Sequence, residues 1–256
     1  MKQEVLKAKI KERYGKIALE GNSESCCGPE CCSSTEADPQ MSSVVVGYDG
    51  KALESIPKSS ILGLGCGAPI NFANLKIGEI VVDLGSGAGI DAFLASREVK
   101  DSGKVIGIDF TDEMLHKATS TAKENGFTNV EFRKGDIEES IPVDDNSVDV
   151  AISNCVINLA TDKVKTFKEI YRILKKDGKG RMIISDLVTS KEVRGDTVNP
   201  EDWCNCIDGA LTKENYINII KEAGFSDVKT LNEQIYITKY KTNRIITSVV
   251  IGATAK

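Results

Sequence analysis

The stretch Ile80–Asp91, IVVDLGSGAGID, decides the fold. Ile80 to Leu84 reads as a short buried strand with Asp83 near its end. Gly85, Gly87 and Gly89 follow at alternate positions, and a helix from Asp91 to Val99 takes over. Glycines at such a turn let the backbone bend sharply and approach a ligand at the N-terminus of the helix. Asp109 closes the next strand, Val105 to Asp109, 20 residues beyond Gly89. An acid there is placed to accept hydrogen bonds from ribose hydroxyls. A glycine pattern alone says little, but this one follows a strand, opens a helix and has its acid, which is the context a nucleotide-type cofactor requires. Its rhythm is G-x-G-x-G, unlike the G-x-G-x-x-G of dinucleotide loops.

Outward from this loop the chain alternates. A helix is expected over Thr111–Asn125 with Thr111 as N-cap. Strands follow at Val130–Lys134 and Val148–Ser153, a helix at Thr161–Leu174 and a strand at Gly180–Ser185. Strands alternating with helices imply a mostly parallel α/β sheet covered on both faces. A helical section carrying Trp203, Cys204 and Cys206 comes next, then a helix over Asn215–Ala223 closed by Gly224. Gln234–Thr254 reads as two antiparallel strands around Lys241–Asn243, an antiparallel C-terminal edge. At the other end, Val5, Ile10, Tyr14, Ile17 and Ala18 recur at roughly helical spacing over residues 1–20. Residues 22–43, polar and cysteine-studded, read as a loop or arm. The expected division is an N-terminal helix and arm (1–57), a cofactor domain (58–190) and a C-terminal part (191–256).

The 256 residues carry a net charge of −5, which gives no electrostatic argument for nucleic acid or an anionic membrane. No run is long and apolar enough to span a bilayer, and residues 1–21 lack the apolar core of a signal peptide. The expectation is a cytoplasmic, monomeric protein. Eight cysteines in a reducing compartment point to metal, metalloid or redox chemistry rather than disulfides. With one histidine, His116, a soft-ion site must be built from thiolates. Cys155 follows the fourth strand, at the sheet edge where open α/β sheets bind ligands, with Asn154 beside it. Cys66 lies in LGLGCG and Cys206 in CIDGAL. Taken singly, each also fits a buried core cysteine. The arm motif CCGPECC is dense enough for zinc or copper but lacks the usual C-x₂-C spacing.

The loop D-x-G-x-G-x-G resembles the S-adenosylmethionine loop of Rossmann-like methyltransferases. That resemblance implies S-adenosylmethionine as cofactor, held along Asp83, Gly85, Gly87, Gly89 and Asp109. It also implies that Asp136 and Ile137, in Gly135–Asp136–Ile137, read the adenine, and that Met114 packs on its other face unless it is simply core. YGKIA, CCGPECC, LGLGCG, SNCVINL and CIDGALTKE, with the loop, extend the likeness through most of residues 10–225. Together they resemble the arsenite S-adenosylmethionine methyltransferases of microbes. The family implies that Cys66, Cys155 and Cys206 converge on trivalent arsenic, free or as a glutathione conjugate, in arsenic detoxification. It implies a redox cysteine in the arm, for which Cys32 is the first choice as the nearest to Cys66, and a thiol reductant such as thioredoxin or glutathione. Cys204 matches none of the family's positions and is expected to be structural.

The chemistry is coherent. Soft thiolates select thiophilic ions. Trivalent arsenic bound by three thiolates keeps a lone pair that can attack a sulfonium methyl, so positioning is the main task and no general base is needed. A methyltransferase for a small organic acceptor, such as a quinone or sterol precursor, would use the same cofactor half. It leaves three cysteines unexplained and wants an aromatic-rich pocket, against 5% aromatics. A metal-sequestering protein would not need the cofactor loop.

Overall fold

The computed structural model describes residues 3–21, 38–193, 197–241 and 243–256. Its centre is a seven-stranded sheet of β1 (Ile80–Leu84), β2 (Lys104–Asp109), β3 (Val130–Lys134), β4 (Val150–Asn154), β5 (Arg181–Thr189), β6 (Ser226–Tyr240) and β7 (Arg244–Thr254), ordered β3-β2-β1-β4-β5-β7-β6. β1 to β5 are parallel, and β7 runs antiparallel between β5 and β6. This is the Rossmann-like α/β sheet with an antiparallel C-terminal edge expected from the sequence.

Helices α1 (Gln3–Glu20), α2 (Pro39–Val45), α3 (Gly50–Glu54), α4 (Ile70–Ala73), α5 (Ile90–Val99), α6 (Asp112–Glu124), α7 (Lys163–Ile173), α8 (Pro200–Cys204) and α9 (Lys213–Glu222) flank it. One core packs sheet residues such as Leu84, Ile108 and Ile184 against Phe167, Ile170 and Tyr216 of α7 and α9. A second, on the opposite face, packs Val81, Val105 and Ile152 against Ala92, Ala95 and Val99 of α5. Strand order reverses direction between β1 and β4, so the carboxyl ends of these neighbours open a crevice. The cofactor loop leaves β1 on one side of it, and Asn154–Cys155 leaves β4 on the other.

Three local expectations change. Residues 38–43 are not loop: Asp38 accepts the Gln40 N–H and Pro39 opens α2, a capped helix start. Thr111 holds the cap position of α6 but makes no side-chain capping bond. β6 begins at Ser226, eight residues before the expected strand, because an edge strand with mostly exposed residues shows no apolar alternation. In α1, Leu6 and Ile10 are the buried anchors near its start, while Val5 is exposed.

Candidate functional site

The β1 loop delivers what its glycines suggested. Gly85, Gly87 and Gly89 take φ values of 66°, 52° and 96°. A Cβ on Gly85 would lie 2.2 Å from a Val156 methyl, so glycine is required both for conformation and for room. The loop forms the floor of a cavity of about 1150 Å³, roofed by Ile10 and Tyr14 of α1 and reaching Cys155 and Val156. Asp109 is buried at one side. Its Oδ2 accepts the Gly87 N–H at 2.9 Å and its Oδ1 the Thr111 N–H at 2.8 Å, so the acid also fixes the loop. Burial raises its pKa.

Deeper in the cavity lies a polar cluster. Tyr48 donates to Asp91 Oδ2 at 2.7 Å, and Asn154 Nδ2 donates to the Tyr48 hydroxyl at 2.7 Å. Burial pushes Asp91 up to about 6, and burial together with Asp91 lifts Asp83 well above the carboxylate range. Asp83 Oδ2, Asp91 Oδ1 and Ser86 Oγ are buried without a partner. Buried acceptors without donors are sites where a ligand supplies the missing hydrogens. S-adenosylmethionine, with an ammonium and a sulfonium, has that chemistry, and the residues present fit it. At the far end, Met114 is buried and lines the cavity with Asp136 and Ile137. Asp136 already accepts Lys7 Nζ of α1 at 2.6 Å, so α1 reaches the end expected to hold adenine.

Cys66, Cys155 and Cys206 come from three distant segments and meet in one cluster beside this cavity, with 3%, 9% and 2% of their surface exposed. Asn154 is the joint: its Oδ1 accepts the Cys66 N–H at 3.1 Å and its Nδ2 donates to the Gly67 carbonyl at 2.7 Å. A Cβ on Gly67 would sit 2.1 Å from Ser185 Oγ, so the glycine lets the Cys66 loop lie flush on β5. Cys155 N–H donates to the Ser185 carbonyl at 2.8 Å, and Cys206 Sγ donates to the Cys155 carbonyl at 2.8 Å. Cys155 and Cys206 have φ values of 60° and 63°. Side chains rarely adopt that conformation, and it is stored where surrounding structure demands it. Burial lifts the Cys66 thiol, and hydrogen bonds with Cys206 and Cys66, then burial, lift Cys155 well above the usual thiol range. The thiols are thus protonated at neutral pH. Cys204 lies in a separate cluster with Leu6 and Ile10, and His116 is exposed. Cys32, with Cys26, Cys27 and Cys31, lies outside the described residues.

Sequence reading missed Asp186 and Lys163. Asp186 is buried behind Cys66 and Cys155. It accepts Leu187 N–H, Asn158 N–H and the Tyr216 hydroxyl, and burial pushes it up to about 7. Lys163, nearby, is brought down to about 8 by burial and donates to the Ala160 carbonyl at 2.8 Å. An acid at the end of a strand carries no sequence signal separating it from any other. Asp91, by contrast, stood inside the deciding stretch.

A methyltransferase-domain profile matches residues 75–224, more than half of the chain. The chain belongs to the methyltransferase-domain family. Methyltransferase relatives are close: an arsenite methyltransferase of Halobacterium salinarum is 40% identical over 259 residues, covering 96% of this chain and 64% of its own length. One from Aquipseudomonas alcaligenes is 33% identical, covering 88% of this chain and 63% of its own length. The chain therefore spans less than two thirds of these curated relatives. Among solved structures, an arsenic(III) S-adenosylmethionine methyltransferase from Chlamydomonas reinhardtii superposes with a TM-score of 0.66 at 28% identity, over 85% of this chain and 73% of that one. Among the described residues no helix of this methyltransferase-fold chain is long and apolar enough to cross a membrane.

Proposed function

We propose that this chain transfers the methyl group of S-adenosylmethionine to trivalent arsenic held by Cys66, Cys155 and Cys206. The observation that carries this is Cys155, which belongs to the thiol cluster and also lines the cofactor cavity. The cofactor supplies an electrophilic sulfonium methyl. Asp83, Asp91 and Asp109 hold its cationic and hydroxyl groups, and the glycine loop sets its depth. The three thiols exchange their protons for arsenic as its three hydroxides leave as water, so binding needs no base. This suits thiols whose pKa values are raised. The bound arsenic keeps its lone pair, and orienting it toward the cavity is the enzyme's contribution. Water is kept away because all three thiols are buried.

Methyl transfer leaves arsenic formally pentavalent. Two thiolates coupling as a disulfide return two electrons and restore the trivalent state. Cys66 with an arm cysteine, Cys32 first, is the pair in this reading, and thioredoxin or glutathione reopens the disulfide. The biological role is arsenic detoxification, with arsenite or its glutathione conjugate as substrate.

The test is turnover of fully reduced protein with S-adenosylmethionine and a thiol reductant, with and without arsenite. Arsenite-dependent formation of S-adenosylhomocysteine and methylated arsenic is expected. Cofactor binding without arsenite-dependent turnover would shift the reading to an organic acceptor.

A further inference from the structure

The thiol pocket contains a second donor set. The Sγ atoms of Cys66 and Cys155 and a carboxylate oxygen of Asp186 lie within 4.8 Å of one another, and all three residues are buried. Cys206 is not part of this trio: its thiol is directed to the Cys155 carbonyl. Asp186 is the buried acid that the arsenic chemistry leaves without a task.

Charge separates the two sets. Three thiolates on trivalent arsenic make a neutral unit that needs no carboxylate. Two thiolates and one carboxylate around a divalent cation carry a single negative charge, and Lys163 lies close enough to Asp186 to offset it. Mixed sulfur and oxygen donors in a compact buried site suit a borderline, tetrahedral ion. Asp186 Oδ1 accepts one backbone N–H, from Leu187 at 2.9 Å, which leaves that oxygen a lone pair for a metal.

We propose that Cys66, Cys155 and Asp186 form a binding site for a zinc-like divalent cation, which shares two thiols with the arsenic site and replaces Cys206 by a carboxylate. Water completes the tetrahedron. On binding, the two thiol protons pass to the buffer. The cation and arsenic compete for Cys66 and Cys155, so the resting pocket is masked by zinc until a three-thiol ligand displaces it. The zinc site stands on donor geometry and is measured without arsenite, so its failure and that of the arsenic reading are separate results.

The experiment uses the full chain with Cys26→Ser, Cys27→Ser, Cys31→Ser and Cys32→Ser, which removes the arm as a competing site. Titration calorimetry with zinc alone is expected to give one site whose enthalpy depends on the buffer. X-ray absorption at the zinc edge is expected to show two sulfurs with oxygen neighbours. In this background Asp186→Asn weakens zinc by at least the 10- to 100-fold typical of altered metal surroundings, about the scale set by outer partners, and leaves arsenite binding in place. Cys206→Ser does the reverse, and Cys155→Ser loses both. Retained arsenite binding shows that the Asp186 variant is folded. An all-sulfur zinc environment, no zinc binding, or loss of zinc with Cys206→Ser would overturn the proposal. Should Asp186→Asn fail to fold, the sulfur count in the parent protein decides alone.

Discussion

The two pockets share a wall and are built by opposite means. The cofactor cavity is assembled from segments that each follow a strand of the parallel sheet: the β1 loop, Asp109 after β2 and Asp136 after β3. The thiol pocket joins a loop before the sheet, the end of β4 and a turn after α8, with 51 residues between Cys155 and Cys206. One is acidic, with unpaired buried oxygens; the other is sulfur-rich and apolar, with Leu187, Ile207 and Ile246 among its neighbours. A cationic cofactor and a neutral arsenic unit are thereby kept on separate sides of Cys155. Position along the sheet and ligand softness are independent choices here.

Cys155→Ser should break this comparison hardest. Arsenite methylation is expected to fall more than ~100-fold, beyond what altering an outer partner of a metal-type site costs. S-adenosylmethionine affinity, measured by calorimetry, should be unchanged. Loss of both would mean that the pockets are one energetic unit.

Gly85→Ala probes the wall from the cofactor side. The new methyl meets Val156, the residue after Cys155, and the φ of 66° is costly for alanine. A loss of about 2–4 kcal/mol in stability is expected from overpacking and left-handed strain together. Cofactor and arsenite affinities should both fall. Adding Val156→Ala should recover part of the stability but not the conformational cost, and a thermal melt of the double variant measures the split.

Acidity sharpens the contrast. Asp91 titrates at about 6 in the empty cavity, raised by burial. Affinity for a cationic cofactor should therefore rise with pH through 6, by up to roughly tenfold per unit of pKa shift engaged. Asp91→Asn should flatten that profile and leave arsenite binding intact. Stability without ligand should run the other way. Asp91 and Asp186 have folded-state pKa values above those of the unfolded chain, so the folded state holds more protons between about pH 4 and 7. The ligand-free protein should thus lose on the order of 2 kcal/mol as pH rises across that window. Melting with and without cofactor at pH 5 and 7.5 checks both signs.

Legibility in the sequence followed the same division. The cofactor loop was readable because strand, glycines and acid are local in the chain, and the parallel order follows from alternation. The thiols could be named individually, but their convergence rested on family resemblance, since no spacing links Cys66 to Cys206. Asp186 and Tyr48 were invisible because their roles arise from tertiary neighbours: Asp186 lies behind two thiols and Tyr48 bridges Asp91 and Asn154. The polar start of β6 was missed because an edge strand borrows its order from β7 through backbone bonds rather than from buried side chains.

The smallest effect should come from α1, which touches both regions. Lys7 pairs with Asp136 at 2.6 Å and lies near Glu138 and Glu139, while Tyr14 donates to the Cys204 carbonyl at 3.2 Å, two residues from Cys206. Lys7 is partly exposed, so its ion pairs are worth about 0.2–1 kcal/mol and are weakened by salt. Lys7→Ala should weaken cofactor affinity about two- to fivefold at low salt, mainly through faster release, with the difference shrinking at high salt. The loss would mark α1 as a cover held by charge at one pocket and by packing at the other. A gain would mean instead that Lys7 competes with the adenine for Asp136, and stopped-flow release of S-adenosylmethionine distinguishes the two.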